Sequence, residues 1–124
     1  MGAYLQQARI ALEVYLERGR LALEELRNDR PEQAESLLMW RNAAFQNFRV
    51  AEALEKKAGQ DVSNDPEIIR TMKGIEQLNP ELEAALIRTR QGLLEAMARA
   101  GKNREKISKF HSGSREEGAF LNKV

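Results

Sequence analysis

The sequence predicts an all-α fold: an antiparallel helical bundle built on a long helical hairpin, with three to four helices and a flexible C-terminal tail. Charged residues make up 31% of the 124 residues and aromatic residues only 6%, a balance typical of helical bundles. Apolar residues recur three and four positions apart along most of the chain, which is the helical period. Polar turn signals separate these stretches. We predict a bundle domain over residues 1–109 and a tail over residues 110–124.

The first helix is predicted over residues 3–28. Gly19 lies on its apolar seam and costs about 1 kcal/mol relative to alanine inside a helix, so we expect another backbone to pack closely there. A second apolar stripe, formed by Ile10, Val14 and Leu21, runs along the opposite side. This stripe is covered by the C-terminal segment, or it is partly exposed, or it is a second interface for a partner or for self-association.

A short polar turn separates the first helix from a second one, predicted over residues 31–57. Asp29 and Glu32 have the spacing of a capping box, and Pro31 suits the first helical turn. The second helix is apolar around most of its circumference, so we expect neighbours on more than one side. The short turn makes the two helices an antiparallel hairpin of rods, each about 40 Å long at about 1.5 Å per residue.

A loop over residues 58–65 precedes the third helix. Gly59 is expected to end the second helix, and Asp65 to cap the third, with Pro66 at its first position. Asn79 and Pro80 repeat this capping signal. Either a new helix starts there or one long helix continues with a kink, and the sequence leaves both readings open. Helix is expected to reach about residue 109.

The residues that carry catalysis or bind metals in other helical bundles are missing from this sequence. A di-iron bundle needs two Glu-x-x-His motifs, whereas His111 is the single histidine and lies in the predicted tail. Phosphate-binding glycine loops and nucleophile–base motifs are also missing. We therefore expect neither an enzyme nor a bound metal or cofactor.

Charge and cysteine content suggest the compartment and narrow the class of partner. The net charge of +1 gives no general case for nucleic acid binding. Residues 99–124, however, hold seven Lys or Arg and three Glu, which leaves weak phosphate or regulator binding by the basic tail as an alternative. The chain has no cysteine, and its N-terminal stretch is too charged for a secretory signal or a membrane span. We expect a cytoplasmic protein without membrane insertion.

The order of the predicted elements resembles that of the small flagellar type III export chaperones of the FliT and FlgN kind. The second helix carries the pattern Leu37, Arg41, Phe45, Phe48, and the third leads into Asn-Pro-x-Leu at residues 79–82. The last helix gives way to a polar tail that ends with Phe120 and Lys123. The resemblance spans nearly the whole chain and rests on pattern, length and element order.

The resemblance implies a cytosolic chaperone without catalytic activity. Such a protein binds the C-terminal part of an unassembled filament-cap or hook-associated subunit, prevents its premature assembly and delivers it to the export apparatus. The C-terminal helix and tail are the usual contact or autoinhibitory elements in that family.

The residues independently suggest where a helical segment of a partner would bind. Packing of a helix into a groove needs apolar side chains that the core leaves uncovered. The candidates are Leu93, Leu94, Met97, Ile107, Phe110, Phe120 and Leu121. The main alternative function is a structural or adaptor coiled coil that forms a homodimer through Ile10, Val14 and Leu21.

Overall fold

The computed structural model describes residues 2–107, with side chains through residue 101. Within this range the all-α prediction is confirmed, since the chain forms three α-helices and one short 3₁₀ helix and no strand. The helices are α1 (Leu5–Arg27), α2 (Pro31–Lys57) and α3 (Pro66–Ile107), with the 3₁₀ turn at Val62–Asn64. Contacts divide the chain into two units, one through Leu86 and one from Ile87. The predicted boundary between residues 109 and 110 lies outside the described residues.

Helix α1 ends in a Schellman motif centred on Asp29. Asp29 adopts a left-handed backbone with φ of 56°, its N–H donates to the carbonyl of Leu26, and the N–H of Arg30 donates to the carbonyl of Glu25. The predicted capping box of Asp29 with Glu32 is therefore wrong. Asp29 closes α1, while Arg30 precedes α2 without a side-chain cap.

The end of α2 and the start of α3 follow the prediction. Gly59 has φ of 85°, and the N–H groups of Gly59 and Gln60 donate to the carbonyls of Lys56 and Glu55, which is again a Schellman motif. Asp65 caps α3, because its Oδ2 accepts from the N–H of Ile68 at 3.1 Å.

The core of the first unit consists of two apolar clusters stacked along the helices. The cluster nearer the N-terminus joins α1 and α2 to the start of α3: Leu5, Ala8, Ala11, Leu12, Phe48, Ala51, Val62 and Ile68. The second cluster lies nearer the α1–α2 turn: Leu16, Ala22, Leu23, Leu26, Ala34, Leu78, Leu82 and Ala85. The first half of α3 therefore packs along the hairpin and runs parallel to α1.

The Asn79–Pro80 pair lies inside one continuous helix, so no new helix starts there. Pro80 has no N–H to donate to the carbonyl of Glu76. Asn79 does not cap a new helix. Its Oδ1 accepts a hydrogen bond from Arg41 of α2 at 3.0 Å.

Gly19 marks a close approach, as predicted, but its neighbours are side chains and not a backbone. A Cβ atom placed on Gly19 would lie 2.7 Å from Cδ2 of Leu78 and 2.8 Å from Nε of Arg41. Both distances are shorter than van der Waals contact. The missing side chain thus makes room for two groups that connect α1 to α2 and α3.

The second unit contains the part of α3 from Ile87 to Ile107. Its residues are helical throughout this range.

Candidate protein-binding surfaces

Arg41 holds the three helices of the first unit together. Its Nε donates to the backbone carbonyl of Tyr15 at 3.2 Å, and its Nη2 donates to Oδ1 of Asn79 at 3.0 Å. The guanidinium lies 3.8 Å from the centroid of the Tyr15 ring, a cation–π geometry. Burial lowers the pKa of Arg41, and no carboxylate of the described residues lies within 4.0 Å of it.

Two carboxylates position the N-terminal ends of α1 and α3. Oε1 of the buried Glu55 accepts the N–H of Tyr4 at 3.0 Å, which connects the C-terminal end of α2 to the start of α1. Asp65 accepts from Nε of Arg9 at 3.0 Å and from Nη2 of Arg9 at 2.6 Å. The hydrogen bond from Arg9 holds the pKa of the Asp65 carboxyl below its usual value, against an opposing effect of desolvation.

The predicted partner-binding residues of α3 form an apolar stripe in the second unit. Leu94 is 41% exposed, and Leu93 and Met97 are half-buried. Ile87 extends the stripe by two turns and is 50% exposed. We call Ile87, Leu93, Leu94 and Met97 the α3 stripe. Ile87 was not among the predicted partner-binding residues, although it lies seven residues before Leu94 and hence on the same helix face.

The other predicted partner-binding residues cannot be placed. Ile107 is the last residue of α3, but its side chain is not described. Phe110, Phe120 and Leu121 lie outside the described residues.

The stripe of α1 that was predicted as a second interface lies at the surface. Ile10 is 52% exposed and Leu21 is 39% exposed, whereas Val14 is half-buried. Neither core cluster includes any of the three. The stripe is therefore available within the first unit.

Helix α2 carries an exposed apolar stripe that the sequence reasoning missed. The expected neighbours on more than one side are present, since α2 packs against both α1 and α3. Nevertheless Met39, Trp40 and Val50 are 65%, 61% and 60% exposed. Large apolar residues at such exposure are informative when they form a contiguous patch.

The stripes of α1 and α2 lie on the same side of the hairpin, because Arg18 connects them. Nη1 of Arg18 donates to the backbone carbonyl of Trp40 at 2.6 Å, and its guanidinium lies 5.6 Å from the centroid of the Trp40 ring. Val14 and Leu21 are four and three residues from Arg18 and share its side of α1. We call Ile10, Val14, Leu21, Met39, Trp40 and Val50 the outer face.

The described residues also include a polar groove and a set of hydrogen-bonded polar side chains. An open groove between α1 and the first half of α3 is lined by charges of both signs, among them Arg20, Glu24, Arg27 and Glu81. Among residues 2–101 no buried polar side-chain atom lacks a hydrogen-bond partner, and no group of three potential metal ligands occurs.

Of the three α-helices in the described range, none combines the length and the apolar character that crossing a lipid bilayer requires.

Comparison of the chain with protein-family models, with curated proteins and with solved structures gives no match. A proposal of function therefore rests on the exposed apolar surfaces and on the sequence pattern.

Proposed function

We propose that this protein is a cytoplasmic, non-enzymatic chaperone that binds an amphipathic helix of a partner protein through the α3 stripe. In its specific form, the partner is an unassembled flagellar cap or hook-associated subunit, or another subunit secreted by a type III apparatus. The observation that carries the proposal is the exposure of Ile87 and Leu94 at 50% and 41% on one face of a helix.

The geometry of the α3 stripe supports helix-in-groove recognition. Apolar residues spaced by three, four and seven positions on one helix pack against the matching face of another helix. Each large apolar side chain that becomes fully buried contributes about 1.5 to 3 kcal/mol. Ile87 and Leu94 are exposed and therefore gain most from burial, whereas Leu93 and Met97 are already half-buried and add less. This gain has to exceed the cost of association, which is several kcal/mol.

The specific chaperone form is supported by the sequence pattern. Leu37, Arg41, Phe45 and Phe48 follow the family-like spacing on α2. Arg41 and Phe48 are buried, and Phe45 packs against the first core cluster. These residues would then serve the fold of the chaperone, and the α3 stripe would contact its subunit.

The test is peptide binding by two matched double variants. Leu94→Gln with Met97→Gln removes apolar surface from the α3 stripe. Arg88→Gln with Arg99→Gln changes two exposed residues on the opposite face of the same helix. The probe is a fluorescent peptide from the C-terminal end of a filament-cap or hook-associated subunit, and the readout is fluorescence anisotropy.

We expect the unchanged chain to bind such a peptide and the stripe variant to bind it at least about tenfold more weakly, the loss typical of a central contact residue. The opposite-face variant should bind within about twofold of the unchanged chain, since surface charges contribute little. Equal weakening by both variants would refute the α3 stripe as the binding surface. If neither a filament-cap peptide nor a hook-associated peptide binds, the flagellar form of the proposal is refuted.

A further inference from the structure

We propose that the outer face of the hairpin pairs with the outer face of a second copy of this chain. The two copies are related by a two-fold axis perpendicular to the helices, so that α2 packs antiparallel to its counterpart and α1 does the same. This interface uses residues separate from the α3 stripe and does not depend on the proposed function.

The first argument is the pattern of side-chain sizes on α2. Residues spaced by four and three positions form a coiled-coil seam on its exposed side: Ser36, Trp40, Ala43, Asn47, Val50 and Leu54. In an antiparallel pair centred at residue 45, Trp40 lies opposite Val50, Ala43 opposite Asn47 and Ser36 opposite Leu54. Trp40 thus faces the smaller Val50 and Leu54 faces the smaller Ser36, while Ala43 and Asn47 at the centre are both small. Such alternation of sizes allows close packing across a two-fold axis.

The second argument is the distribution of charge along α2. Glu32 lies near its N-terminal end and Lys57 at its C-terminal end, both exposed and on the side of the seam; Glu35 and Lys56 are exposed beside them and add to the same charge at each end. In an antiparallel pair with the same centre, the acidic end of each copy meets the basic end of the other. A parallel pair would instead place like charges together, which is unfavourable at close range.

The third argument is that one axis serves both helices. On α1, antiparallel pairing places Ile10 opposite Leu21 when the axis passes between residues 15 and 16. Tyr15 and Phe45 lie at the same level of the hairpin, because their ring centroids are 5.3 Å apart. A single two-fold axis at this height along the hairpin therefore relates both the α1 pair and the α2 pair.

The extent of the uncovered surface fits a protein interface. Ile10, Trp40 and Val50 are each more than half exposed, and a contiguous apolar patch of this kind on a monomer commonly marks an interaction site. Trp40 is the sole tryptophan, and tryptophan is the residue type most enriched among the dominant contacts of interfaces. The charge and size patterns identify the occupant as a second copy.

The experiment is a charge exchange between two variants, measured by sedimentation velocity over a dilution series. One variant carries Glu32→Lys and Glu35→Lys, and the other carries Lys56→Glu and Lys57→Glu. Each alone places like charges at both ends of the antiparallel pair. When the two are mixed, opposite charges meet again at both ends, so the mixed dimer regains the lost pairs. Circular dichroism checks that each variant is folded.

We expect the unchanged chain to dimerise and each variant alone to dimerise at least about tenfold more weakly, because each charge pair contributes up to about 1 kcal/mol. The equimolar mixture of the two variants should recover the original affinity. The emission of Trp40 should shift to the red on dilution as the dimer separates. A chain that stays monomeric up to about 1 mM, an affinity of only about 4 kcal/mol, overturns the proposal. Dimerisation that the separate variants do not weaken, or that mixing does not restore, overturns it as well.

Discussion

At the scale of single residues, Arg41 is a buried cation held by neutral groups. The carbonyl of Tyr15 and the amide oxygen of Asn79 accept its hydrogen bonds, and the Tyr15 ring stacks on the guanidinium. Desolvation opposes the charge, and this is why burial lowers the pKa of Arg41. Arginine retains its proton in such sites, so these hydrogen bonds offset the burial of the charge.

Asn79→Asp is expected to raise the melting temperature at pH 7, because it converts a neutral acceptor of Arg41 into a charged one. The guanidinium would hold the pKa of the new carboxyl below its ordinary value of about 3.9. The gain is therefore present above that value and is lost as the pH falls through the lowered pKa of the folded state.

The control for this prediction is the same change in an Arg41→Met background, where the new carboxylate has no guanidinium to pair with. Melting temperatures of the four chains at pH 7 and pH 3 complete the comparison. A gain of equal size in the Arg41→Met background would show that the new carboxylate acts independently of Arg41.

Asp65→Asn is expected to lower stability near neutral pH while retaining the helix cap, because asparagine caps helices about as well as aspartate. What is lost is the charge that pairs with Arg9. Since the pKa of Asp65 is depressed in the folded state, its contribution is present above the ordinary value of about 3.9 and disappears at lower pH. The free energies of unfolding of the two chains, measured with urea, should converge as the pH falls from about 5 to about 2. A difference that stays constant over this range would contradict this account.

At the scale of elements, two glycines inside helices are expected to respond in opposite ways to alanine. Gly19→Ala should destabilise the protein, because its Cβ would collide with Leu78 and Arg41. Gly92→Ala should stabilise α3 by about 0.5 to 1 kcal/mol, because alanine is the better helix former and a Cβ there would meet no atom within 4 Å. Urea unfolding of both variants measures the change in the free energy of unfolding, which should be negative for Gly19→Ala and positive for Gly92→Ala. Stabilisation by Gly19→Ala would refute the close approach.

Local signals predicted most of the helix boundaries. The bounds of α2 agree with the prediction, since Pro31 and Gly59 act through their own backbone preferences. The role of Asp29 differs from the predicted one, because a residue in a short turn between two helices can either end the first helix or cap the second. The sequence left open whether Asn79 caps a new helix. In the structure its side chain is bonded to Arg41 of another helix, and the spacing of residues along the chain does not reveal that contact.

The candidate surfaces were harder to predict, because a periodic pattern identifies which apolar residues share a face but not whether another element covers that face. Ile10 and Leu21 were recognised as a separate stripe, since the first helix already had a stronger one. Trp40 and Val50 were missed, because α2 is apolar nearly all round and therefore looked buried. Only the packing of α1 and α3 against α2 distinguishes its covered side from its exposed side.

At the scale of the whole molecule, exposed apolar side chains occur in both described units, and the outer face and the α3 stripe have no residue in common. The outer face belongs to the first unit, where both core clusters hold the hairpin in place. The α3 stripe belongs to the second unit. Because no residue is shared, the two proposals are tested by separate sets of substitutions.

The central claim is that the α3 stripe binds a helix of a partner protein, and hydrogen–deuterium exchange of the full chain tests it most directly. The exchange is measured with and without a saturating filament-cap C-terminal peptide. We predict slower exchange on addition of the peptide across residues 87–101 and unchanged exchange across residues 31–57, because a docked helix stabilises the segment that it contacts. Unchanged exchange over residues 87–101, or slowing confined to α2, would contradict the claim.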